Sequence, residues 1–552
     1  MDTLISVLLY FIQIILPFLG VLIIYYCYKS LFGGISPERP LIALVNCMTG
    51  EKIPITYWEN SIGRDRHCDV VVDSPTASRD HAVLFRRDEG WIIADTNSKG
   101  GIFLNGKKVE ESAKVELNDV IQIGGIDFEL NKSEILPEKN RFINMFKSHN
   151  ICYPAHTMLF LVNFFQLLSF IEVSFSSGKF DIKPMIVFVS LIACSWTLLF
   201  ITTFLFKRIN FEIEALGIFF SGIGIASLCG VDVDKAYVQL VAFSIGMVFF
   251  EFIILFLKNP DIAMKCRPYV ACFAIILLLV NLVFGKVKNG SQNWIVVGPF
   301  SIQPSEFVKV AFIFFGTSTL RGIQTAKNLT GFILFSTICM GALFAMGDFG
   351  TACIFFVTFV LISFMRSGSI RTVFLTCSAA VLGLFLILKF KPYIVTRFSA
   401  WRHVWEHVND IGYQQTRVLT YASSGGLIGL GIGKGCLKYV FAAPSDLVFG
   451  MLCEEWGLVM SIALLIGIAF LGIYARRVSA RSRSAFYAIA SCCSAGMIIF
   501  QMMMNVFGVI DIFPLTGVTL PFISLGGSSM ISAWGLLAFI KVSDERTYGL
   551  KR

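Results

Sequence analysis

The chain has 552 residues, of which 55% are hydrophobic and 15% are charged, and its formal net charge is +9. A soluble protein usually has about 25% charged residues, so this composition excludes an ordinary soluble enzyme, a disordered chain and a secreted disulfide scaffold. The modest positive charge indicates basic loops at one membrane face, and no nucleic-acid partner is expected. The chain is predicted to be a mainly α, polytopic helical membrane protein.

The first 30 residues contain an apolar segment at positions 5–27, and the first basic residue is Lys29. A cleaved signal peptide would need a basic stretch before the apolar run and a small-residue cleavage site after it. Neither pattern occurs here, so we interpret residues 1–30 as a retained N-terminal transmembrane helix.

Residues 40–135 have a different character, because charged residues become frequent and short apolar runs alternate with turn residues. Such runs occur at 70–72, 82–85 and 120–123. The Asn105-Gly106 pair between two apolar runs is a strong signal for a β-hairpin. The segment is therefore predicted to fold as a small all-β sandwich.

Three pieces of this segment resemble the forkhead-associated (FHA) domain in order and spacing: Gly63-Arg64, Ser78-Arg79-Asp80-His81 and Asn105-Gly106. The resemblance implies a site for phosphothreonine peptides, whose phosphate suits a guanidinium and a hydroxyl. The implied phosphothreonine ligands are Arg64, Ser78 and Arg79, and the implied structural residues are Gly63, His81, Asn105 and Gly106. The implied partners are a phosphothreonine-containing protein and the Ser/Thr kinase that modifies it.

The loop at 98–101 departs from the FHA pattern, which usually has Ser-x-Asn-Gly where this chain has Ser98-Lys99-Gly100-Gly101. The resemblance assigns that Asn a hydrogen bond to the peptide backbone, and Gly100 has no side chain to make it. Two interpretations follow: a phosphothreonine-binding domain with altered affinity, or a docking module that keeps the fold without binding phosphate.

Residues 150–545 return to long apolar runs and are predicted to form one membrane domain. The predicted spans are 154–173, 183–205, 213–230, 236–257, 268–285, 305–320, 329–346, 350–365, 372–389, 447–475, 486–509 and 520–541. Together with the first helix they give about 13 transmembrane helices, one N-terminal plus a core of about 12. The polar interval 390–446 is predicted to be one large loop.

The positions of basic residues in the short loops predict the orientation of the chain, because such residues concentrate on the cytoplasmic side. With the β-domain inside, the inner loops contain Lys207, Arg208, Lys258, Lys265, Arg267, Arg321, Lys327, Arg366, Arg371, Arg476, Arg477, Arg481 and Arg483. The outer loops then contain Lys179, Lys183, Lys235, Lys286 and Lys288. We therefore expect the β-domain and the C-terminus in the cytoplasm and the 390–446 loop outside.

Several stretches of the membrane domain resemble the SEDS family (shape, elongation, division and sporulation), the group of RodA, FtsW and SpoVE. They include Gln303-Pro304-Ser305-Glu306, Asp348-Phe349-Gly350-Thr351, Ser424-Gly425-Gly426-Leu427, Ser445-Asp446 and Leu520-Pro521-Phe522-Ile523-Ser524. The resemblance implies a peptidoglycan glycosyltransferase that polymerises Lipid II, an undecaprenyl-pyrophosphate-linked disaccharide pentapeptide, at the outer face of the bacterial cell membrane. It also implies a class B penicillin-binding protein as partner and a role in cell shape, division or sporulation.

Asp446 lies at the predicted outer end of a span, where a carboxylate is costly, and the SEDS resemblance implies that it faces a water-filled cavity and is the catalytic residue. It is expected to act as general base for an acceptor hydroxyl or as a ligand to Mg²⁺ or Mn²⁺ on the pyrophosphate. The alternative is a helix N-cap, since Ser445 and Asp446 precede an apolar helix.

Further substrate-binding candidates are charged or hydroxyl side chains within the same motifs and in the outer loop. They are Glu306, Lys309, Asp348, Arg402, Arg417, Glu454 and Ser524, and the two arginines are the candidate ligands of the pyrophosphate. Each also has a structural alternative: an ion pair for Glu306 and Lys309, surface charge for the arginines, and helix ends or packing for the others. Two other functions remain open at this point: a Lipid II flippase, and a non-catalytic scaffold for cell-wall synthesis.

Overall fold

A computed structural model describes residues 2–33, 42–55, 59–66, 68–87, 90–132, 153–208, 210–288, 291–297, 300–318, 326–367, 370–371, 373–378, 401–479, 482, 484–544 and 547. Within these ranges the chain consists of a β-sandwich, inserted after one long helix, and a large helical region.

The sandwich consists of a six-stranded sheet with the order β2-β1-β11-β10-β7-β8 and a five-stranded sheet with the order β4-β3-β5-β6-β9. The strands are β1 Ile42–Asn46, β2 Lys52–Ile55, β3 Glu59–Gly63, β4 Val70–Val71, β5 Ala82–Arg87, β6 Gly90–Asp95, β7 Ile102–Leu104, β8 Lys107–Val109, β9 Ser112–Val115, β10 Val120–Ile123 and β11 Ile126–Lys132. All neighbouring strands are antiparallel except β3 and β4.

Alternation along the strands produces the core of the sandwich, because successive side chains point to opposite faces of a sheet. Leu44, Ile62, Leu84 and Ile121 are fully buried between the sheets. The predicted hairpin is present, with Asn105 and Gly106 at positive φ between β7 and β8, as tight turns of this kind require. The predicted all-β sandwich is therefore confirmed.

The helical region follows the predicted spans closely. Its helices, together with the N-terminal one, are α1 Asp2–Gly33, α2 Ala155–Ser174, α3 Lys183–Phe200, α4 Glu212–Cys229, α5 Val233–Phe256, α6 Pro260–Lys265, α7 Arg267–Phe284, α8 Pro304–Thr317, α9 Ala326–Ala345, α10 Phe349–Ser367, α11 Tyr413–Ser424, α12 Val448–Glu455, α13 Gly457–Ser479, α14 Ala485–Val509 and α15 Gly527–Ser543. Helix α4 is buried along its whole length, and α1 packs against α2 and α13.

Nine helices among the described residues are long and apolar enough to cross a membrane, namely α1 to α5, α7, α10, α13 and α14. Helices α8, α9 and α15 occupy the predicted spans at 305–320, 329–346 and 520–541. The predicted span 372–389 lies largely outside the described residues. A mainly α, multi-pass membrane protein is thus confirmed, and the total of about 13 spans stays a prediction.

Three features of the helical region differ from the predicted pattern. Strands β12 Lys286–Lys288, β13 Ser291–Val297 and β14 Phe300–Ile302 form a small sheet that was not expected. Helix α11 lies inside the predicted 390–446 loop. The predicted span at 520 begins as helix α15 only at Gly527, because residues 511–526 form a non-helical segment that contains Pro514, Gly517 and Pro521.

Candidate active site

The helical region encloses a cavity of about 2140 Å³. Part of the lining is apolar and comes from α9 and α10 side chains such as Met340, Phe344, Phe356 and Phe359. The carboxylates Glu306, Asp348 and Asp446 line the same cavity. A cavity lined by both apolar side chains and carboxylates suits an amphiphile with an apolar tail and a polar reacting head.

Asp446 lies in the turn that enters α12 and lines the cavity. The turn is tight, with the Asp446 backbone N–H donating to Ala442 O at 2.9 Å and Ala442 itself at φ 61°. Nearby, Leu437, Ala443 and Leu447 are fully buried in one small apolar cluster. The backbone that carries the candidate catalytic carboxylate is therefore fixed by packing.

Three hydrogen bonds tie this turn to α14 and to the segment before α15. Ser524 Oγ donates to Ser445 O at 2.5 Å, and the Leu525 backbone N–H donates to Pro444 O at 2.8 Å. Asn505 Nδ2 donates to Asp446 O at 2.9 Å and to Val518 O at 2.7 Å. Ser524, predicted as a substrate contact, is thus placed behind the Asp446 turn and does not line the cavity.

Glu306 and Lys309 lie on one face of α8 and form a buried ion pair, with Lys309 Nζ 2.8 Å from Glu306 Oε1. Lys309 Nζ also donates to Gln501 Oε1 at 2.9 Å, and Glu306 Oε2 accepts from Ser532 Oγ at 2.6 Å. Lys309 is 1% exposed and does not line the cavity, whereas Glu306 does. The pair therefore joins α8, α14 and α15 directly behind the cavity wall.

Asp348 lines the cavity at the start of α10. Its Oδ2 accepts from Asn293 Nδ2 at 3.0 Å and from Gln303 Nε2 at 3.2 Å, and its Oδ1 accepts from the Thr351 N–H at 3.1 Å. The last bond caps α10. The other two bonds attach strand β13 and the start of α8 to the same carboxylate. Asp348 therefore has a structural role, since it holds these elements together.

Glu454 is buried under the loop that precedes Asp446. Its carboxylate accepts from the backbone N–H groups of Cys436 at 2.7 Å and Leu437 at 2.9 Å. These bonds hold the short 3₁₀ turn Leu437–Tyr439 from below. Glu454 is therefore a support of the loop and is absent from the cavity lining.

Arg402 and Arg417 are not among the residues that line the cavity. The Arg402 guanidinium stacks over Trp401 at 5.2 Å, and that of Arg417 lies over Tyr413 at 5.2 Å. Sequence reasoning missed the basic side chains that do line the cavity, which are Lys235 and Lys438 among the described residues. Lys438 could have been predicted as a cavity residue, because it lies in the same loop as Asp446.

The loops at one end of the β-sandwich converge through hydrogen bonds. The Arg64 backbone N–H donates to Ser78 O at 2.9 Å, and Ser78 Oγ accepts from the Lys99 N–H at 3.1 Å. His81 is fully buried; its Nδ1 accepts from the Ser78 N–H at 2.9 Å, so its Nε2 is the donor to Gly101 O at 3.0 Å. Arg64, Ser78 and Lys99 are thus brought together on loops that His81 fixes.

The remaining predicted residues of the sandwich have structural positions. A Cβ at Gly63 would lie 2.0 Å from Arg79 O, so no side chain is tolerated there. Arg79 follows Ser78 in the loop between β4 and β5, and its carbonyl accepts from the Asp65 N–H at 3.1 Å. Asn105 Oδ1 accepts from the Val120 N–H at 2.9 Å and stabilises the hairpin at the opposite end.

Comparison with known proteins agrees with both parts of this architecture. Residues 218–548 match the cell cycle protein family of FtsW, RodA and SpoVE, and residues 60–124 match the FHA domain. A probable peptidoglycan glycosyltransferase FtsW from Wigglesworthia glossinidia brevipalpis is 33% identical over 280 residues, which cover 49% of this chain and 74% of that protein. Stage V sporulation protein E from Bacillus subtilis (strain 168) is 31% identical over 280 residues, which cover 49% of this chain and 76% of that protein.

The fold has a similar counterpart among solved structures. A chain of a peptidoglycan synthase complex that coordinates polymerization and crosslinking aligns with a TM-score of 0.51 and 23% identity, over 60% of this chain and 96% of that chain. The family match covers more than half of the sequence and confirms the predicted resemblance. The chain therefore belongs to the FtsW/RodA/SpoVE family of membrane proteins and carries an FHA domain in addition.

Proposed function

We propose that this protein is a peptidoglycan glycosyltransferase that polymerises Lipid II into glycan strands and is regulated through its FHA domain. The observation that carries the proposal is Asp446 in the lining of a large cavity that also has apolar walls, in a chain whose relatives are named probable peptidoglycan glycosyltransferases. The apolar side chains of the lining would contact an undecaprenyl tail, since burying each CH₂ contributes about 0.8 kcal/mol.

In the proposed reaction the 4-hydroxyl of one disaccharide attacks the anomeric carbon of another, and the bond to the pyrophosphate breaks. The proton of the hydroxyl passes to the Asp446 carboxylate, and undecaprenyl pyrophosphate leaves. General base catalysis of this kind contributes about 10²–10⁴-fold to a rate. The hydrogen bonds from Ser524 and Asn505 to the Asp446 turn would keep the carboxylate in register with the bound sugar.

A divalent cation is compatible with the residues around the cavity. Mg²⁺ is commonly held by one or two carboxylates together with substrate phosphates and water, and Asp446, which lines the cavity, would supply a carboxylate. Bound there, the ion would neutralise charge on the pyrophosphate. Asp446 would in that case act as its ligand, which is the alternative to a base.

We propose that the FHA domain and the C-terminus lie in the cytoplasm and that Asp446 faces outward. Glu59 of the sandwich accepts a hydrogen bond at 2.8 Å from the Ala485 N–H, at the start of α14. Asn505, which contacts Asp446 O, lies near the other end of the same helix. Twenty helical residues span about 30 Å, close to the thickness of a bilayer core, which supports opposite faces for the two sites.

The FHA domain would recruit the enzyme to a phosphorylated partner. A membrane Ser/Thr kinase would supply the phosphothreonine, and Arg64, Ser78 and Arg79 would bind it. The Lys99 N–H bond to Ser78 already orders the two loops that would meet the phosphate. A class B penicillin-binding protein would crosslink the strands that this chain makes.

Two substitutions in the FHA loops are expected to change phosphothreonine affinity in opposite directions. Arg64→Ala removes a charge-assisted contact and should weaken binding about 10-fold to 100-fold. Gly100→Asn should tighten it about 5-fold by adding one hydrogen bond, because a Cβ there meets only Thr76 O at 3.7 Å and His81 Cε1 at 3.8 Å. Titration of the full chain with phosphorylated and unphosphorylated peptides measures both effects.

The control for these variants is Lys107→Ala, since Lys107 is exposed in β8 at the opposite end of the sandwich. Its affinity should equal that of the wild type. Equal affinity of wild type and Arg64→Ala would instead favour a docking module that does not read phosphate.

The polymerase proposal is tested with the purified chain, a class B partner and labelled Lipid II. Glycan ladders on a gel are the expected result. The alternative function, a Lipid II flippase, would give no ladder but would move fluorescent Lipid II across liposome membranes.

A further inference from the structure

We infer that Lys438 binds the pyrophosphate group of the lipid-linked substrate, an inference that rests on the proposed function. Lys438 and Asp446 both line the same cavity, eight residues apart in one loop. The substrate carries a pyrophosphate next to the reacting carbon. A cation beside the pyrophosphate would offset the three carboxylates, Glu306, Asp348 and Asp446, that line the same cavity and repel a polyanion.

The two basic residues of the described cavity lining differ in their partners. Lys235 lies 3.4 Å from Asp232 Oδ2 and is exposed. Lys438 forms no ion pair with a carboxylate of the described residues, although its charge acts on the buried Glu455. Its Nζ donates to the Gly433 carbonyl at 2.5 Å and lies 5.3 Å from the Tyr439 ring centroid. An ammonium has three donors, so the bond to Gly433 leaves two that can serve an anion.

The backbone under Lys438 is held rigidly. Glu454 accepts hydrogen bonds from the N–H groups of Cys436 and Leu437, immediately before Lys438. The Leu437 side chain is fully buried in the cluster that also contains Ala443 and Leu447, on either side of the Asp446 turn. The ammonium and the Asp446 carboxylate are therefore presented by one rigid loop, as preorganised stabilisation of a leaving group requires.

The arrangement assigns a separate task to each charge. Asp446 acts on the attacking hydroxyl, and Lys438 meets the pyrophosphate, whose negative charge grows as the bond to the sugar breaks. Lys438 takes no proton and forms no covalent bond; it binds the departing group by charge and hydrogen bonding. The role that the sequence suggested for Arg402 and Arg417 thus falls to a lysine.

The test is direct binding of undecaprenyl pyrophosphate to the purified full chain, which needs no turnover. Lys438→Met should weaken binding about 10-fold to 100-fold, the range for a lost charge-assisted hydrogen bond, and Lys438→Arg should recover most of it. Undecaprenol, which lacks phosphate, should bind wild type and Lys438→Met equally. The matched control is Lys434→Met, because Lys434 is an exposed lysine four residues away that does not line the cavity.

Three results would overturn the inference: wild-type affinity in Lys438→Met, an equal loss in Lys434→Met, or no binding of undecaprenyl pyrophosphate by the wild type. Inorganic pyrophosphate serves as a competitor that separates the headgroup from the lipid; it should displace the lipid more weakly from Lys438→Met than from wild type. Loss of binding in Lys438→Met combined with an absence of glycan ladders from the wild type would refute the polymerase proposal and leave the binding site standing.

Discussion

Asp446→Asn is expected to lower the rate of Lipid II polymerisation by about 10²–10⁴-fold while the protein stays folded. Asparagine keeps the size of the side chain and a carbonyl oxygen, but it neither accepts a proton at neutral pH nor binds a divalent cation strongly. The turn around it depends on backbone and neighbouring bonds, from Ser524, Leu525 and Asn505, which the substitution leaves in place. Initial rates of glycan formation, measured with the class B partner, provide the test.

The thermal unfolding midpoint in detergent is the control for this variant and should match that of the wild type. A ladder from Asp446→Asn at more than about a tenth of the wild-type rate is incompatible with the role of a base. Such a result would also remove the metal-ligand alternative. The candidates for the catalytic carboxylate would then be Glu306 and Asp348, the other described carboxylates that line the cavity.

Lys309→Met is expected to destabilise the protein by about 3–5 kcal/mol, because it leaves the buried Glu306 carboxylate without its cation. Glu306 is 3% exposed and Lys309 is 1% exposed. Gln501 also loses the ammonium that its Oε1 accepts from. The measurement is thermal or denaturant unfolding in detergent.

The double variant Glu306→Gln/Lys309→Met decides between an ion pair and a substrate contact for Lys309. Removing both charges should restore most of the stability, because no unpaired charge remains in the protein interior. A Lys309→Met protein with wild-type stability but no polymerisation would show that the lysine contacts substrate, contrary to its buried position.

The sequence predicted those parts of the molecule that depend on local pattern. Apolar runs located most helices, and the Asn105-Gly106 pair located a hairpin. Asp446 and Arg64 were identified because each lies in a short sequence motif that resembles a known family. These features can be predicted because each depends on a pattern of a few consecutive residues and not on contacts between distant parts of the chain.

Features that depend on tertiary contacts were not predictable in the same way. Charge alone suggested Arg402 and Arg417 for the pyrophosphate, but whether a side chain reaches the cavity depends on how residues 401–447 fold around helix α11. Lys309 and Glu454 looked equally suitable for substrate, and only their partners across the chain reveal them as supports. The β12–β14 sheet was missed because its strands are short and rich in polar residues.

The most direct test of the account is the release of undecaprenyl pyrophosphate during a single reaction of the purified chain with Lipid II and its class B partner. One molecule of undecaprenyl pyrophosphate should leave for each new glycosidic bond, as counted by digesting the glycan product. Asp446→Asn should release almost none in the time that the wild type needs to complete the reaction. Movement of Lipid II across a membrane without any release of undecaprenyl pyrophosphate would contradict the account and identify the protein as a transporter.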